Sequence, residues 1–181
     1  MSRRKVQLII LCEDRQHAAC VRRFLETSGW EKRQIEVILN PKGRGSGEQW
    51  VRERYASEVK KLRSAPHVAR ALVTVIDEDK QGAGRREAQL AEALKDAGLP
   101  ARKADEAVLH IIPARNIETW LEYLKGETVD ERKNYTKLTK ERDCREIVPA
   151  LRAMCEERKL REPTPPSLVR ACDEYRTRMP T

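Results

Sequence analysis

Aromatic residues and long apolar runs are both scarce in this chain of 181 residues. Aromatic side chains make up only 4% of the sequence, which gives little support to the base-stacking surfaces that single-strand binders use. No stretch reaches the roughly 18 apolar residues that a membrane-spanning helix needs. The sequence therefore predicts a soluble protein with no membrane partner, in which the apolar run after the basic first residues is a strand and not a signal peptide.

The cysteines form no recognisable pattern. There are 5 of them, an odd number, and no two are spaced as C-x-x-C. Neither a disulfide framework nor a zinc site is therefore indicated. Reduced thiols in a cytoplasmic protein are the simplest interpretation.

Charge is what the chain has in excess. Its 37 Lys and Arg residues outnumber its 29 Asp and Glu residues, which gives a formal net charge of +8. Such an excess attracts polyanions in a manner that weakens with salt, although a basic surface that only faces solvent explains the same number. Apolar residues make up 39% of the chain, which is enough for a folded core.

Short apolar segments alternate with helical patterns over the first two thirds of the chain. The predicted strands are residues 6–12, 34–39, 71–76 and 108–112. Between them, the spacing of apolar residues predicts amphipathic helices. This alternation is typical of α/β proteins, so we expect a Rossmann-like, mostly parallel four-stranded sheet with helices on both faces.

The pattern changes after Pro113. Asn116 is placed to cap a helix that carries an apolar stripe, with Trp120 in the core. Residues 130–139 are polar and indicate no element, whereas residues 144–159 and 168–175 indicate helices. We therefore divide the chain into an α/β domain over residues 1–125 and a C-terminal helical extension over residues 126–181.

Acidic residues follow two of the predicted strands, at the point where each strand ends. Glu13 comes after the first strand, and Asp77 and Asp79 come after the third. In an extended segment alternate residues point the same way, so the two aspartates are expected to project together. Because ligands bind at the carboxyl ends of parallel strands, these residues predict a site for Mg²⁺ or Mn²⁺, although a D-x-D sequence also occurs in ordinary acidic loops.

The order strand, Glu13, helix, then strand, Asp77-x-Asp79 resembles the TOPRIM domain of topoisomerases, primases and overcoming-lysogenization-defect nucleases. Residues 114–121 are similar to the E-x-W-L helix of small stand-alone TOPRIM-like proteins from phage-defence and mobile-element gene clusters. The resemblance covers about residues 5–125. It implies a TOPRIM-like fold, one or two divalent ions held by Glu13, Asp77 and Asp79 at a phosphodiester, and an ATPase as a partner.

The chain departs from this family pattern at two positions. Related nucleases carry a glycine right after the glutamate and an acid four residues on, where this chain has Asp14 and His17. His17 could replace the acid as a metal ligand or position water, or the second metal site could be altered or missing. Glu118 is a further candidate ligand or general base, although a glutamate in a first helical turn also stabilises the helix dipole by roughly 0.3–1 kcal/mol.

Several cations near these acids are candidate contacts of a nucleic-acid backbone. The glycine-rich loop of residues 42–47 carries Lys42 and Arg44 and offers backbone N–H groups to a phosphate, although it lacks the Walker pattern and a flexible connector explains it equally well. Lys80, Arg85 and Arg86 follow the paired aspartates, and a solvated surface is the alternative role for all three.

Three functions are compatible with these residues. The first is a Mg²⁺- or Mn²⁺-dependent nuclease, or a related phosphoryl-transfer hydrolase, that acts on DNA or RNA, in antiviral defence by resemblance. The second is a non-catalytic TOPRIM-like subunit that binds nucleic acid or regulates an ATPase, which the histidine at position 17 favours. The third is a phosphatase or receiver-like domain with Asp77 as phospho-acceptor, which Gln81 disfavours because dehalogenase-type phosphatases carry Thr or Val there.

Overall fold

A sheet of four parallel strands forms the centre of the computed structural model, which describes residues 6–42, 45–80 and 84–180. The strands are β1 (Gln7–Cys12), β2 (Ile35–Leu39), β3 (Arg70–Val75) and β4 (Val108–Ile111). They lie in the order β2-β1-β3-β4. Each predicted strand is present to within one residue at either end, and the α/β, Rossmann-like fold class is confirmed.

The register of the strands aligns their carboxyl ends. Cys12 at the end of β1 pairs with Leu39 of β2 and with Val75 of β3, and Val75 pairs with Ile111 of β4. All four strands therefore end at one edge of the sheet. The residues that follow them leave the sheet side by side, which is where open parallel sheets bind ligands.

Seven α-helices within the described residues cover the two faces of the sheet. The first face carries α1 (Arg15–Thr27), α4 (Glu118–Leu124), α5 (Cys144–Ile147), α6 (Pro149–Glu156) and α7 (Pro166–Arg178). The second face carries α2 (Gly47–Ser64) and α3 (Arg85–Asp96). Short 3₁₀-helices lie at Lys32–Gln34 and Glu141–Asp143. In the part of the chain that the structure describes, no helix has the length and apolar character to cross a membrane.

Two hydrophobic cores lie on either side of the sheet. Leu8 and Ile10 of β1 are buried in the core of the first face, whereas Ile9 and Leu11 are buried in the core of the second face. Successive side chains of a strand point to opposite faces, so a strand covered on both sides must be apolar throughout. This is why β1 shows no polar alternation.

The helices α5, α6 and α7, from the segment predicted as a C-terminal extension, contribute residues to the core of the first face. Leu168 and Tyr175 of α7 are buried there beside Trp120 of α4. The Trp120 Nε1–H donates a hydrogen bond of 2.8 Å to Ser167 Oγ. The C-terminal helices thus share one core with the sheet and complete the cover of its first face.

Some helix boundaries differ from the sequence prediction. The single helix predicted over residues 144–159 is wrong, because Pro149 has no N–H and begins a separate helix, α6. The predicted cap Asn116 lies one residue too early, since Ile117 occupies the N-cap position of α4 and makes no side-chain capping bond.

One disulfide bond joins α6 to α7. Cys155 and Cys172 are 17 residues apart in the chain, and their Cα atoms lie 5.3 Å apart. The prediction of reduced thiols is wrong for this pair, because their spacing gives no sign that two packed helices bring them together. Cys12, Cys20 and Cys144 are free and buried.

Candidate metal centre

Glu13 and Asp77 are in contact at the carboxyl edge of the sheet. Glu13 Oε1 accepts a hydrogen bond of 2.6 Å from the backbone N–H of Asp77, across a separation of 64 residues. Glu13 directly follows β1, and Asp77 lies two residues beyond β3, its neighbour in the sheet. The parallel register therefore puts these two acids beside each other.

Asp79 lies near this pair, but not in an extended strand. The strand β3 ends at Val75, and Asp79 has a left-handed φ of 53°, so the extended conformation expected through Asp79 is wrong. Asp79 instead forms an isolated antiparallel bridge with Arg115, which has a φ of 67°. Left-handed conformations cost non-glycine residues roughly 1–3 kcal/mol and cluster at functional sites.

Arg86 fixes the segment that carries the two aspartates. Its Nε donates a hydrogen bond of 2.8 Å to the Asp77 carbonyl, and its Nη2 donates one of 3.1 Å to Asp79 Oδ2. Its Nη1 donates to Glu48 Oε2 at 2.9 Å. The residue is only 3% exposed. In this structure the guanidinium binds acceptors of the protein itself. Its contact with a phosphate stays a prediction.

His17 is buried against Asp77. Its Nε2 lies 3.0 Å from Asp77 Oδ1, and its backbone N–H donates to Asp14 Oδ1, which caps α1. Burial lowers the pKa of His17, but the charge and hydrogen bond of Asp77, with the charges of Asp14 and Glu13, outweigh burial and raise the pKa to about 9. At neutral pH a protonated His17 therefore supplies positive charge among these carboxylates.

Glu13 and Glu118 both titrate above the usual range of a carboxyl group. Burial raises the pKa of Glu13 to about 7, an effect that His17 opposes and that Asp77 and Asp79 increase. Burial also raises the pKa of Glu118, its own backbone N–H opposes this, and the charge of Asp77 adds to it. The four predicted acids, Glu13, Asp77, Asp79 and Glu118, therefore lie close enough for the charge of one to shift the pKa of another.

Lys137 is a candidate that the sequence pattern missed. It lies in the polar segment after α4, and its Nζ is 3.2 Å from Asp14 Oδ2, a contact between residues 123 positions apart. Burial lowers the pKa of Lys137, but the charge and hydrogen bond of Asp14, with the charges of Glu118 and Asp77, outweigh burial and raise it. No local signal identifies such a residue, because only the fold brings it to the acids.

The glycine-rich loop reaches the acidic residues through Gly47, the first residue of α2. A Cβ at this position would lie 3.0 Å from Glu13 Cβ and 3.3 Å from Glu13 Oε2. Contacts this close are tighter than nine in ten real Cβ contacts, so the absence of a side chain at Gly47 lets α2 begin against Glu13 without a shift of either. The helix and the acid thereby restrict each other's position.

The remaining predicted phosphate contacts lie around this edge or beyond it. Lys42 and Arg85 are exposed, and Arg44 lies outside the described residues. Lys80 is exposed and lines a cavity of about 330 Å³ with Asp79. For these four cations, contact with a phosphate stays a prediction.

The donor chemistry of the site fits a hard divalent cation such as Mg²⁺ or Mn²⁺, which prefers carboxylate oxygens. The hydrogen bonds described above use one oxygen each of Glu13, Asp77 and Asp79 and leave the other oxygen outside them. Two buried polar atoms near this edge, His17 Nδ1 and Asn40 Oδ1, have no hydrogen-bond partner among the described residues. Asn40 directly follows β2, as Glu13 follows β1.

These side chains are not arranged as a finished metal cage. Within residues 6–42, 45–80 and 84–180, no three or more His, Cys, Asp or Glu side chains form a group that could hold a metal ion. His17 and Arg86 supply the positive charge at Asp77 and Asp79 instead. A bound ion would compete with His17 and Arg86 for these carboxylates, and metal binding stays a prediction.

His110 is a second buried histidine, and it has several partners. Its Nδ1 lies 2.6 Å from Glu87 Oε2, and its Nε2 lies 2.8 Å from the Tyr55 hydroxyl. Sequence spacing gives no sign of these partners, because α2 and α3 bring both groups to β4 only in the folded chain. Burial lowers the pKa of His110, so the neutral ring donates from Nδ1 to Glu87 and accepts the Tyr55 O–H at Nε2.

The chain matches no protein-family model, no curated protein and no solved structure. The fold of the chain is that of an α/β protein with an all-parallel, Rossmann-like sheet. Its candidate site lies at the edge of the sheet where the strands end.

Stability is expected to fall with rising pH because of His17. The folded pKa of about 9 exceeds the unfolded value of 6.5, so the stabilisation is complete below pH 6.5 and is lost as pH rises through 9. Between pH 7 and pH 9 we expect the free energy of unfolding to fall by roughly 2 kcal/mol. Urea denaturation at both pH values measures this change.

His17→Gln should remove most of this pH dependence, and His67→Gln, at an exposed histidine, should retain it. An equal fall in the wild type and in His17→Gln would contradict the assignment of the effect to His17.

Proposed function

We propose that the acidic edge of the sheet binds Mg²⁺ or Mn²⁺ beside a nucleic-acid phosphodiester, and that the protein is a metal-dependent nuclease or a related phosphoryl-transfer protein. The observation that supports this most is the contact between Glu13 and Asp77, made by two strand ends 64 residues apart in the chain. Clustered, partly buried carboxylates repel each other and cost stability, and a divalent cation offsets this repulsion.

In this proposal each group near the edge has a separate task. Glu13, Asp77 and Asp79 would hold the cation, which supplies charge that stabilises the attacking and leaving oxygens of a phosphoryl transfer. Glu118, whose pKa is raised by burial, is suited to hold a proton at a higher pH than an ordinary glutamate does. Lys137 brings an ammonium group to the same edge, where it can neutralise phosphate charge.

The proposal includes a TOPRIM-like family assignment. The all-parallel sheet and the acids at the ends of β1 and β3 are compatible with the sequence resemblance. A role in antiviral defence and an ATPase partner belong to the proposal on the strength of that resemblance alone.

A non-catalytic role is the second candidate. The ion pairs of His17 with Asp77 at 3.0 Å and of Arg86 with Asp79 at 3.1 Å balance the acidic charge without a metal. A site that is neutralised internally needs no ion for its stability. Such a protein would bind nucleic acid or regulate a partner ATPase, and would leave the phosphodiester intact.

Metal-dependent cleavage distinguishes the two candidates. We propose incubating plasmid DNA and structured RNA with the protein in Mn²⁺, in Mg²⁺ and in EDTA, and following the products on gels. A nuclease is expected to cut at least one substrate with Mn²⁺ and to stop when EDTA removes the ion. Intact substrates under every ion condition would contradict the nuclease and support the non-catalytic subunit.

A further inference from the structure

A basic groove runs beside α1 on the first face of the sheet, next to the edge strand β2. Its cavity volume is about 750 Å³. The cations that line it are Arg15, Arg22, Arg23, Lys32, Arg142 and Arg145. The groove's only acidic residues among those described are Glu26 and Glu141, so positive charge predominates.

Most of these cations are not neutralised by the protein. Arg22 Nε pairs with Glu26 Oε1 at 3.1 Å, and Arg23 Nη1 lies 3.9 Å from the other oxygen of the same carboxylate. Arg23 Nε is buried and finds no hydrogen-bond acceptor in the described parts of the chain. The other four groove cations form no ion pair with any residue that the structure describes. Their charge is therefore available to a ligand.

The shape of α1 makes room for an extended anion. Arg15, Ala18, Ala19 and Arg22 recur at helical spacing and so lie on one side of the helix. The short side chains of the two alanines leave open space between the longer side chains of the two arginines. No aromatic residue occurs among the described residues of the lining, so the groove offers no platform on which bases could stack.

The groove begins near the candidate metal centre. Arg15 is the first residue of α1 and directly follows Asp14, whose carboxylate caps that helix and contacts Lys137. Glu13 is the next residue back, at the edge of the sheet. A polyanion bound along α1 would therefore reach the acidic residues without leaving the protein surface.

We propose that this groove binds the phosphate backbone of a duplex nucleic acid, and this inference rests on the proposed action on nucleic acid. Guanidinium groups bind phosphate oxygens with two parallel hydrogen bonds, and binding without aromatic contacts must come from such charge pairing. A duplex carries about twice the charge per unit length of a single strand, so it gains more from an array of cations.

The test removes two groove cations that lie away from the acidic edge. Arg142→Gln with Arg145→Gln changes two exposed residues at the 3₁₀-helix and α5. Fluorescence anisotropy in EDTA would compare a duplex DNA, a duplex RNA and a single strand of the same sequence. We expect duplexes to bind more tightly than the single strand, and the double variant to lose on the order of tenfold in duplex affinity.

The salt dependence identifies the phosphate contacts. Each lost contact should reduce the slope of log K against log salt by about 1, so the double variant should lose about 2. The matched control is Lys60→Gln with Lys95→Gln, which removes the same charge from exposed positions on α2 and α3 of the second face. The control is expected to keep the wild-type slope.

Either of two results would overturn the groove assignment. The first is an equal loss of affinity and slope in both double variants, and the second is tighter binding of the single strand. The comparison of duplex DNA with duplex RNA identifies the ligand, since a groove-dependent loss for either duplex supports the proposal. Because binding is measured in EDTA, the groove and metal-dependent cleavage can fail independently of each other.

Discussion

Asp77→Asn is expected to lower the rate of Mn²⁺-dependent cleavage by a factor on the order of 10³, which corresponds to about 4 kcal/mol of transition-state stabilisation. Asp77 contacts two other residues of the candidate site. Its carboxylate pairs with His17, and its backbone N–H donates a hydrogen bond to Glu13. Its charge also contributes to the raised pKa of Glu118. Asparagine keeps the shape of the side chain and removes its negative charge, which weakens its attraction to a divalent cation.

Initial rates of plasmid nicking at a fixed Mn²⁺ concentration measure this loss. The matched control is Asp96→Asn, the same chemical change at the exposed last residue of α3. The control should cleave at the wild-type rate. Wild-type rates in Asp77→Asn would show that this carboxylate has no part in the reaction.

Arg86→Met is expected to lower the free energy of unfolding by about 3 kcal/mol. The guanidinium is buried and donates to the Asp77 carbonyl and to the Asp79 and Glu48 carboxylates, so its removal takes one donor from each of these three groups. The expected loss lies near the low end for a broken buried pair, because the Asp79 side chain is 55% exposed and water screens its charge.

Urea denaturation of Arg86→Met and Arg52→Met provides the comparison. Arg52 also binds Glu48 Oε2, at 2.8 Å, but its side chain is 30% exposed and the pair lies within one helix. Such pairs contribute under about 1 kcal/mol, so Arg52→Met should be close to the wild type in stability. If both variants lost the same free energy of unfolding, the burial of Arg86 would not add to the stability that its ion pairs provide.

The fold could be predicted from the sequence because its strands are local features. Most residues of each strand are apolar, since both faces of the sheet are covered, and a helical pattern separates each strand from the next. Parallel pairing then follows from the connections, and the common edge for Glu13 and Asp77 follows from parallel pairing. The spacing of the apolar runs was therefore enough to predict that Glu13 and Asp77 lie at the same edge of the sheet.

The parts of the site that could not be predicted depend on long-range contacts. The left-handed φ of Asp79 depends on its bridge to Arg115, and the contact of Lys137 with Asp14 spans 123 residues. The partners of His110 come from other elements of the fold. The spacing of residues along the chain does not predict such contacts.

The most direct test of the proposed metal centre is anomalous scattering from crystals of the protein soaked with Mn²⁺. We expect a manganese peak at the carboxyl edge of the sheet, about 2.1 Å from carboxylate oxygens of Glu13 and Asp77. We also expect His17 to lose its hydrogen bond to Asp77 when that oxygen turns to the ion. No peak at this edge at saturating Mn²⁺, or a peak bound by other residues alone, would contradict the proposed metal centre.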